Sequence, residues 1–169
     1  MKVLIIAAVS ADGLMGAYDG QSSMDWRSAE DGKSFGVLTR EAGVMVMGSA
    51  TFKTFRVKRA PPGRRLIVYT HDSSSIEGEN VETTSEDPKI LVARLESEGH
   101  AALAVCGGAA IHSLFLAAGL VDEVYLTVEP VLFGQGIPFA RESTNTRLKL
   151  LDATNLNPDT LLLHYAVEK

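Results

Sequence analysis

Short runs of consecutive apolar residues alternate along the chain with segments whose apolar positions recur at helical spacing. Val3 to Val9, Val44 to Met47, Leu66 to Tyr69, Leu103 to Cys106 and Val124 to Val128 each have the length and composition of a buried strand. Val81 to Thr83 is a weaker one. Ser28 is placed to cap a helix with Glu30 and Asp31 in its first turn, Phe35, Val37 and Leu38 inside, and Gly43 at its end. A short helix near Phe52 and Phe55 follows Gly48-Ser-Ala-Thr51. Asp87-Pro88 opens another, with proline at the first helical position and Ile90, Leu91, Ala93 and Leu95 within. Ile111, Leu114, Phe115 and Ala118 share one face of a further helix that stops at Gly119. Leu148 to Leu151 and Leu161 to Val167 read as a closing antiparallel pair, turned at Asn155 to Asp159.

This alternation predicts one α/β domain over residues 1–169. Its sheet is mainly parallel, with helices on both faces and an antiparallel hairpin at one edge. There are no internal repeats, low-complexity tracts or linkers. Ser10 to Trp26 is a long irregular segment with Gly13, Gly16 and Gly20, which is the character of a functional loop such as a lid.

Composition narrows the class. The 169 residues are 46% apolar and 22% charged, an ordinary globular balance. The net charge of −5 and the lack of a basic run argue against nucleic acid or an anionic membrane as partner. No segment is long enough to cross a membrane, and the apolar start is too short for a leader before Ser10 and Asp12. The single cysteine, Cys106, forbids an intrachain disulfide and points to a reducing, cytoplasmic setting. Cys106 lies in an apolar run and reads as a small buried hydrophobe, with a catalytic thiol as the alternative.

The stretch Leu103 to Gly119 reads strand, glycine turn, helix. Gly107 and Gly108 lack Cβ atoms, so a ligand can approach the backbone, and the helix that follows aims free N–H groups at the same point. A structural turn is the alternative. Ala7-Ala8, Gly48 with Thr51, and Thr127 stand at other strand ends, where open parallel sheets bind ligands. Asp31 admits two readings: an acid stabilising the helix dipole, or a carboxylate that pairs with an amidine-like heterocycle and assists proton delivery.

Absences remove other chemistries. His71, His100, His112 and His164 have no metal-ligand spacing, so no metal is expected. The zinc-deaminase signature, the Walker loop, the G-x-S-x-G elbow and G-x-G-x-x-G after the first strand are all missing. Gly134-Gln-Gly136 precedes Pro138 and reads as a turn.

From Ala7-Ala8-Val-Ser-Ala-Asp-Gly-Leu-Met-Gly16 to the last hairpin, the chain resembles the dihydrofolate reductase superfamily. One set of residues resembles the classical dihydrofolate reductases. Met24-Asp-Trp26 matches their mobile loop, Asp31 their active-site carboxylate and Phe35 their substrate-packing phenylalanine. Gly48 with Thr51 matches the cofactor-binding G-x-x-T, Pro62-Gly63-Arg64 the folate-carboxylate segment, and Thr127 the threonine of the pterin site. A second set resembles the riboflavin-type reductases: Gly107-Gly108-Ala109, Ala117 to Val124, Pro130 to Pro138, and Leu163-His164-Tyr165.

The resemblance implies a three-layer fold with an eight-stranded, mostly parallel sheet. It implies hydride transfer from NADPH, or NADH, to a pterin, with a ribosylated aminopyrimidine of the riboflavin pathway as the alternative and a non-catalytic ligand-binding relative as a third reading. It assigns catalysis to Asp31 and substrate contact to Ala8, Trp26, Phe35, Arg64 and Thr127. Cofactor contact falls to Ala7, Gly16, Gly48, Ser49, Thr51, Thr70, Gly107, Gly108, Ala109 and Ala110. A homodimer is implied as well, with the Pro130 to Pro138 loop as a contact. Ser49 stands where the classical family has a phosphate-binding arginine, so Lys53, Arg65 and His71 are the substitute cations. The loop from Gly16 to Trp26 is longer than the classical one.

Overall fold

The computed structural model describes residues 1–55, 58–142 and 145–169. The first strand, β1 (Lys2–Ser10), carries the longest apolar run and lies inside the sheet. After it come β2 (Leu14–Gly16), α1 (Ala29–Ala42), β3 (Val44–Gly48), α2 (Ser49–Thr54), β4 (Arg65–Tyr69), β5 (Val81–Thr84) and α3 (Pro88–Ser97). Then come β6 (Ala102–Val105), α4 (Ala109–Ala117), β7 (Glu123–Glu129), β8 (Ile137–Pro138), β9 (Leu148–Asn155) and β10 (Leu161–Val167).

Eight strands form one sheet in the order β5-β4-β3-β6-β1-β7-β10-β9. All neighbours are parallel except β10, which runs antiparallel to β7 and β9. The predicted hairpin therefore sits at an edge. β1 pairs with β6 on one side and β7 on the other, and its residues point alternately into cores on the two faces of the sheet. Val3 and Ile5 point into one core with Val44, Val46, Ile67, Leu103 and Val105, closed by Leu91 and Leu95 of α3 and by Ile111 and Phe115 of α4. Leu4, Ile6 and Ala104 meet Phe35, Leu38 and Ala42 of α1, while Met45, Met47, Leu66 and Val68 meet Phe52 of α2. Two-sided burial is why these strands read as unbroken apolar runs. The result is the expected three-layer α/β fold.

Local signals hold at the helix ends. The Ser28 hydroxyl accepts from the Asp31 amide at 3.1 Å, and Gly43 closes α1 in the left-handed conformation at φ 74°. Three expectations about faces are corrected. Val37, Ile90 and Leu114 are exposed rather than inside. The buried stripes run through Phe35, Thr39 and Ala42, through Leu91 and Leu95, and through Ile111 and Phe115, at the three- and four-residue spacing of one helix face. The last hairpin is longer than predicted, because β9 continues to Asn155.

The irregular segment after β1 holds a strand that the sequence pattern did not reveal. β2 pairs antiparallel with β8, tying this loop to the one after β7. Gly136 makes the pairing possible: a Cβ there would lie 2.0 Å from the Gly16 carbonyl oxygen. Asp12 reinforces the tie by accepting from the amides of Phe133 at 3.2 Å and Gly134 at 2.7 Å.

Candidate active site

The carboxyl ends of β1 and β6 face the amino ends of α1 and α4 across a cavity of about 180 Å³. Its floor is Ala7 and Ala8 of β1 with Cys106, Gly107, Gly108 and Ala109 at the β6–α4 turn. Arg27, Asp31 and Phe35 form one wall, and Ala50, Thr51, Thr54 and Phe55 the other. Met15, Gln21, Ser23 and Met24 of the long loop, with Ile137 and Arg141, close over it. A larger surface depression, of about 590 Å³, lies beside Leu116, Arg147 and Lys169 and brings none of these groups together.

The floor is built from backbone approach. The Gly48 amide donates to the Gly107 carbonyl at 2.8 Å, and the peptide bond between Gly107 and Gly108 is cis. A Cβ on Gly48 would lie 3.1 Å from Ile111, and one on Gly108 would lie 3.0 Å from the Thr51 hydroxyl. Side chains at these positions would fill the cradle. No side chain caps α4 at Gly108, so its first amides and the positive end of its dipole remain available to an anion.

Asp31 is the chemical centre of the wall. It is only 6% exposed, and its Oδ2 accepts from Arg27 Nη1 at 3.2 Å. Burial raises its pKa above the ordinary aspartate value, and the nearby charge of Glu129 adds to the rise. The Thr127 hydroxyl and the Arg27 guanidinium act against it. Thr127 is buried on β7, in register with Ala8 of β1. It reaches the site by supporting Asp31 and does not line the cavity.

Arg27 was not anticipated, although its i, i+4 spacing to Asp31 was a readable signal. Room for it comes from Gly32, where a Cβ would sit 2.3 Å from Arg27 Nη1. Glu129 was also missed, because the strand was expected to end at Val128. It is 2% exposed and accepts from the Ser28 amide and hydroxyl, both at 2.8 Å, and from the Thr160 hydroxyl at 3.0 Å. A carboxylate closing an apolar strand was the available clue.

His112 is a third residue missed. It is fully buried, and its Nδ1 donates to the Phe139 carbonyl at 2.9 Å. Burial pushes its pKa down to about 4, so the ring is neutral at ordinary pH. Its Nε2 is a buried acceptor without a partner among the described residues, and a Cβ on Gly107 would be 3.7 Å from it. Burial pushes the Cys106 thiol up, which keeps it protonated and agrees with the reading of Cys106 as a small hydrophobe.

Of the expected site residues, Ala7, Ala8, Asp31, Phe35, Thr51, Gly107, Gly108 and Ala109 meet around the cavity. Others stand off it. Trp26 turns its ring edge-on to Phe133, with centroids 5.3 Å apart, so it fastens the loops to each other. Arg64 donates to the Thr39 hydroxyl at 2.8 Å and so lies along α1. Gly16 pairs with β8, Gly48 backs the floor, and the Thr70 hydroxyl bonds locally to Asp72. Ser49 and Ala110 open α2 and α4 without lining the cavity. Arg65 forms ion pairs with Glu82 and Glu98 and does not line the cavity.

Residues 1–162 match the model of the RibD C-terminal domain family. The uncharacterized protein YwjB of Bacillus subtilis (strain 168) is 28% identical over 172 residues, covering 97% of each chain. Among solved structures, a pyrimidine reductase-like protein from Corynebacterium diphtheriae superposes with a TM-score of 0.80 at 18% identity, over 99% of this chain and 92% of that one. Dihydrofolate reductase from Enterococcus faecalis, complexed with NADP(H), gives 0.76 at 20% identity, over 99% and 97%. A diaminohydroxyphosphoribosylaminopyrimidine deaminase/5-amino-6-(5-phosphoribosylamino)uracil reductase from Thermotoga maritima gives 0.75 at 15% identity. There the match spans 98% of this chain but 56% of the longer relative.

Proposed function

The chain belongs to the RibD C-terminal domain family, and from that premise we propose that it is a nicotinamide-dependent reductase of a flat nitrogen heterocycle. One observation carries the reading. A buried carboxylate, Asp31, faces the side-chain-free Gly107–Gly108 turn and the uncapped end of α4 across a single cavity.

The residues present fit the cofactor. The cradle at Gly108 and Thr51 admits backbone approach, and the α4 amides suit a diphosphate. NADPH is the expected donor, with NADH as the other candidate. Bound there, the nicotinamide supplies the hydride.

The chain's own residues do the rest. Phe35 packs against the heterocycle. The Asp31 carboxylate accepts from an N–C–N edge and fixes which carbon faces the donor. Its raised pKa suits it to help bring, through solvent, the proton that accompanies hydride. Met24 and the loop around it shut water out.

Two substrates remain in view. The pterin reading rests on Met24, Asp31, Phe35 and Thr127. The ribosylaminopyrimidine reading is favoured by the family match over residues 1–162. Both readings call on Arg64, for a folate carboxylate or for a sugar phosphate, and here its guanidinium donates to the Thr39 hydroxyl of α1. Homodimerisation and a cytoplasmic setting belong with this proposal.

The test is NADPH oxidation, followed by absorbance, with dihydrofolate and with a 5-amino-6-(ribosylamino)uracil phosphate, and with Asp31→Asn as control. Turnover of one acceptor that collapses in the variant, with cofactor binding retained, supports the reading and names the substrate class. Equal turnover in the variant removes Asp31 from the mechanism.

A further inference from the structure

Behind Asp31, at the carboxyl end of β7, lies a second buried carboxylate. Glu129 is 2% exposed, and each of its hydrogen bonds comes from a donor: the Ser28 amide, the Ser28 hydroxyl and the Thr160 hydroxyl. The Ser28 hydroxyl has one proton, which it gives to Glu129. Its lone pair receives the Asp31 amide at 3.1 Å. Two hydroxyls and a backbone amide converge on the Glu129 oxygens, a set of donors that a carboxylate can accept. Among the described residues no lysine, arginine or histidine forms an ion pair with it.

An ionised group buried without a cation is costly, and it would be simpler to cap α1 with Ser28 alone. The three donors offset that cost because charge-assisted hydrogen bonds are the stronger kind. Their effect is geometric. Thr160 lies at the turn before β10, Glu129 ends β7, and Ser28 precedes α1. One carboxylate thus joins the last hairpin, the sheet and the helix that bears Asp31.

We infer that Glu129 is a positioning residue for Asp31, fastening the amino end of α1 to the sheet through Ser28 and placing a second negative charge behind the carboxylate at the cavity. The inference deepens the reductase reading and rests on it for its catalytic meaning. The surrounding charges are few. Arg27 and Glu30 face the pair from the α1 side, Glu30 being reached by Asn157 of the hairpin turn. Asp12 stands beyond Ser10, the strand neighbour of Glu129. Arg27 is the cation bonded to Asp31, with the Thr127 hydroxyl as a further donor, so one guanidinium stands against two carboxyl groups. That favours a neutral or protonated ring edge over an anionic one.

Glu129→Gln tests the charge with the shape retained, since the amide oxygen still accepts from Ser28. The readout is the carboxyl 13C titration of Asp31 in the intact protein, with exchange of the Asp31 amide and the pH profile of turnover alongside. The expected result is a downward shift of the Asp31 titration, with amide protection kept and the acid limb of the turnover profile moved the same way. An unshifted titration overturns the inference. If the Gln variant does not fold, Ser28→Ala decides the matter. It severs the link between Glu129 and the Asp31 amide, and unchanged amide exchange there overturns the inference. The NMR shifts in a protein inactive on every heterocycle would leave this inference standing and remove the reductase reading.

Discussion

Arg27 lies across the first turns of α1 with its Nη1 3.2 Å from Oδ2 of Asp31, in the space that a side chain at position 32 would take. The contact is with the far end of a flexible side chain, so Gly32→Ala should displace Arg27 and leave the backbone in place. The helix itself gains about 0.5–1 kcal/mol from the change. The melting temperature is expected to stay level or rise, while Asp31 titrates at a higher pH because its neighbouring cation has moved. Arg27→Met should shift Asp31 in the same direction. Carboxyl NMR of both variants checks this, and opposite shifts would separate Gly32 from Arg27.

The neutral His112 ring makes stability depend on acid. Unfolded, the imidazole takes its proton near pH 6.5, whereas folded it does so only at about 4. Between those values the unfolded state binds more protons, so stability falls as pH falls through the window. The contribution amounts to about 3 kcal/mol once the pH reaches 4. His112→Asn keeps a donor for the Phe139 carbonyl and cannot titrate. Urea denaturation at pH 7 and pH 4.5 should show a smaller loss in the variant than in the wild type.

Gly136→Ala should open the tie between β2 and β8. The backbone sits at φ 156°, and the added Cβ would meet the Gly16 carbonyl at 2.0 Å. Strain of this kind costs about 1–3 kcal/mol. A melting point lower by several degrees, with faster amide exchange at residues 14–16 and 137, is the expected outcome.

Gly108→Ala tests the cradle. A methyl group there presses on the Thr51 hydroxyl and occupies the approach to the α4 amides. Affinity for NADPH, measured by its fluorescence, is expected to drop more than tenfold with the fold intact by circular dichroism. Undiminished affinity would move the cofactor off this turn.

The fold was legible because two-sided burial leaves its mark in unbroken runs such as Val3 to Val9 and Val44 to Met47. The cap at Ser28 and the stop at Gly43 follow from local backbone chemistry and needed no tertiary knowledge. Val37, Ile90 and Leu114 were misplaced because a helix face is fixed by what lies opposite, not by hydrophobicity alone. Asp31 and Gly107–Gly108 could be picked out by their places at element ends. Glu129 and His112 were harder to see, since each acquires its role from a partner far away in the chain, Thr160 and Phe139, whereas Arg27 carried a local signal in its spacing to Asp31. The pairing of β2 with β8 is hidden for the same reason, its strands being three and two residues long.

The Gly48 amide on the Gly107 carbonyl, with Thr51 against Gly108, gives the cavity a bottom made of main chain. Its shape does not depend on the side chains above it. On the proposed reading, exchange of Arg27, Phe35, Phe55 or Arg141 changes what touches a ligand from the sides and leaves the base beneath it in place. Divergence in what relatives of this chain accept is then expected to concentrate in those walls, while the base stays nearly constant in position. A comparison of substitution rates at floor and wall positions across many relatives is a direct gauge of how far specificity has drifted on one unmoving platform.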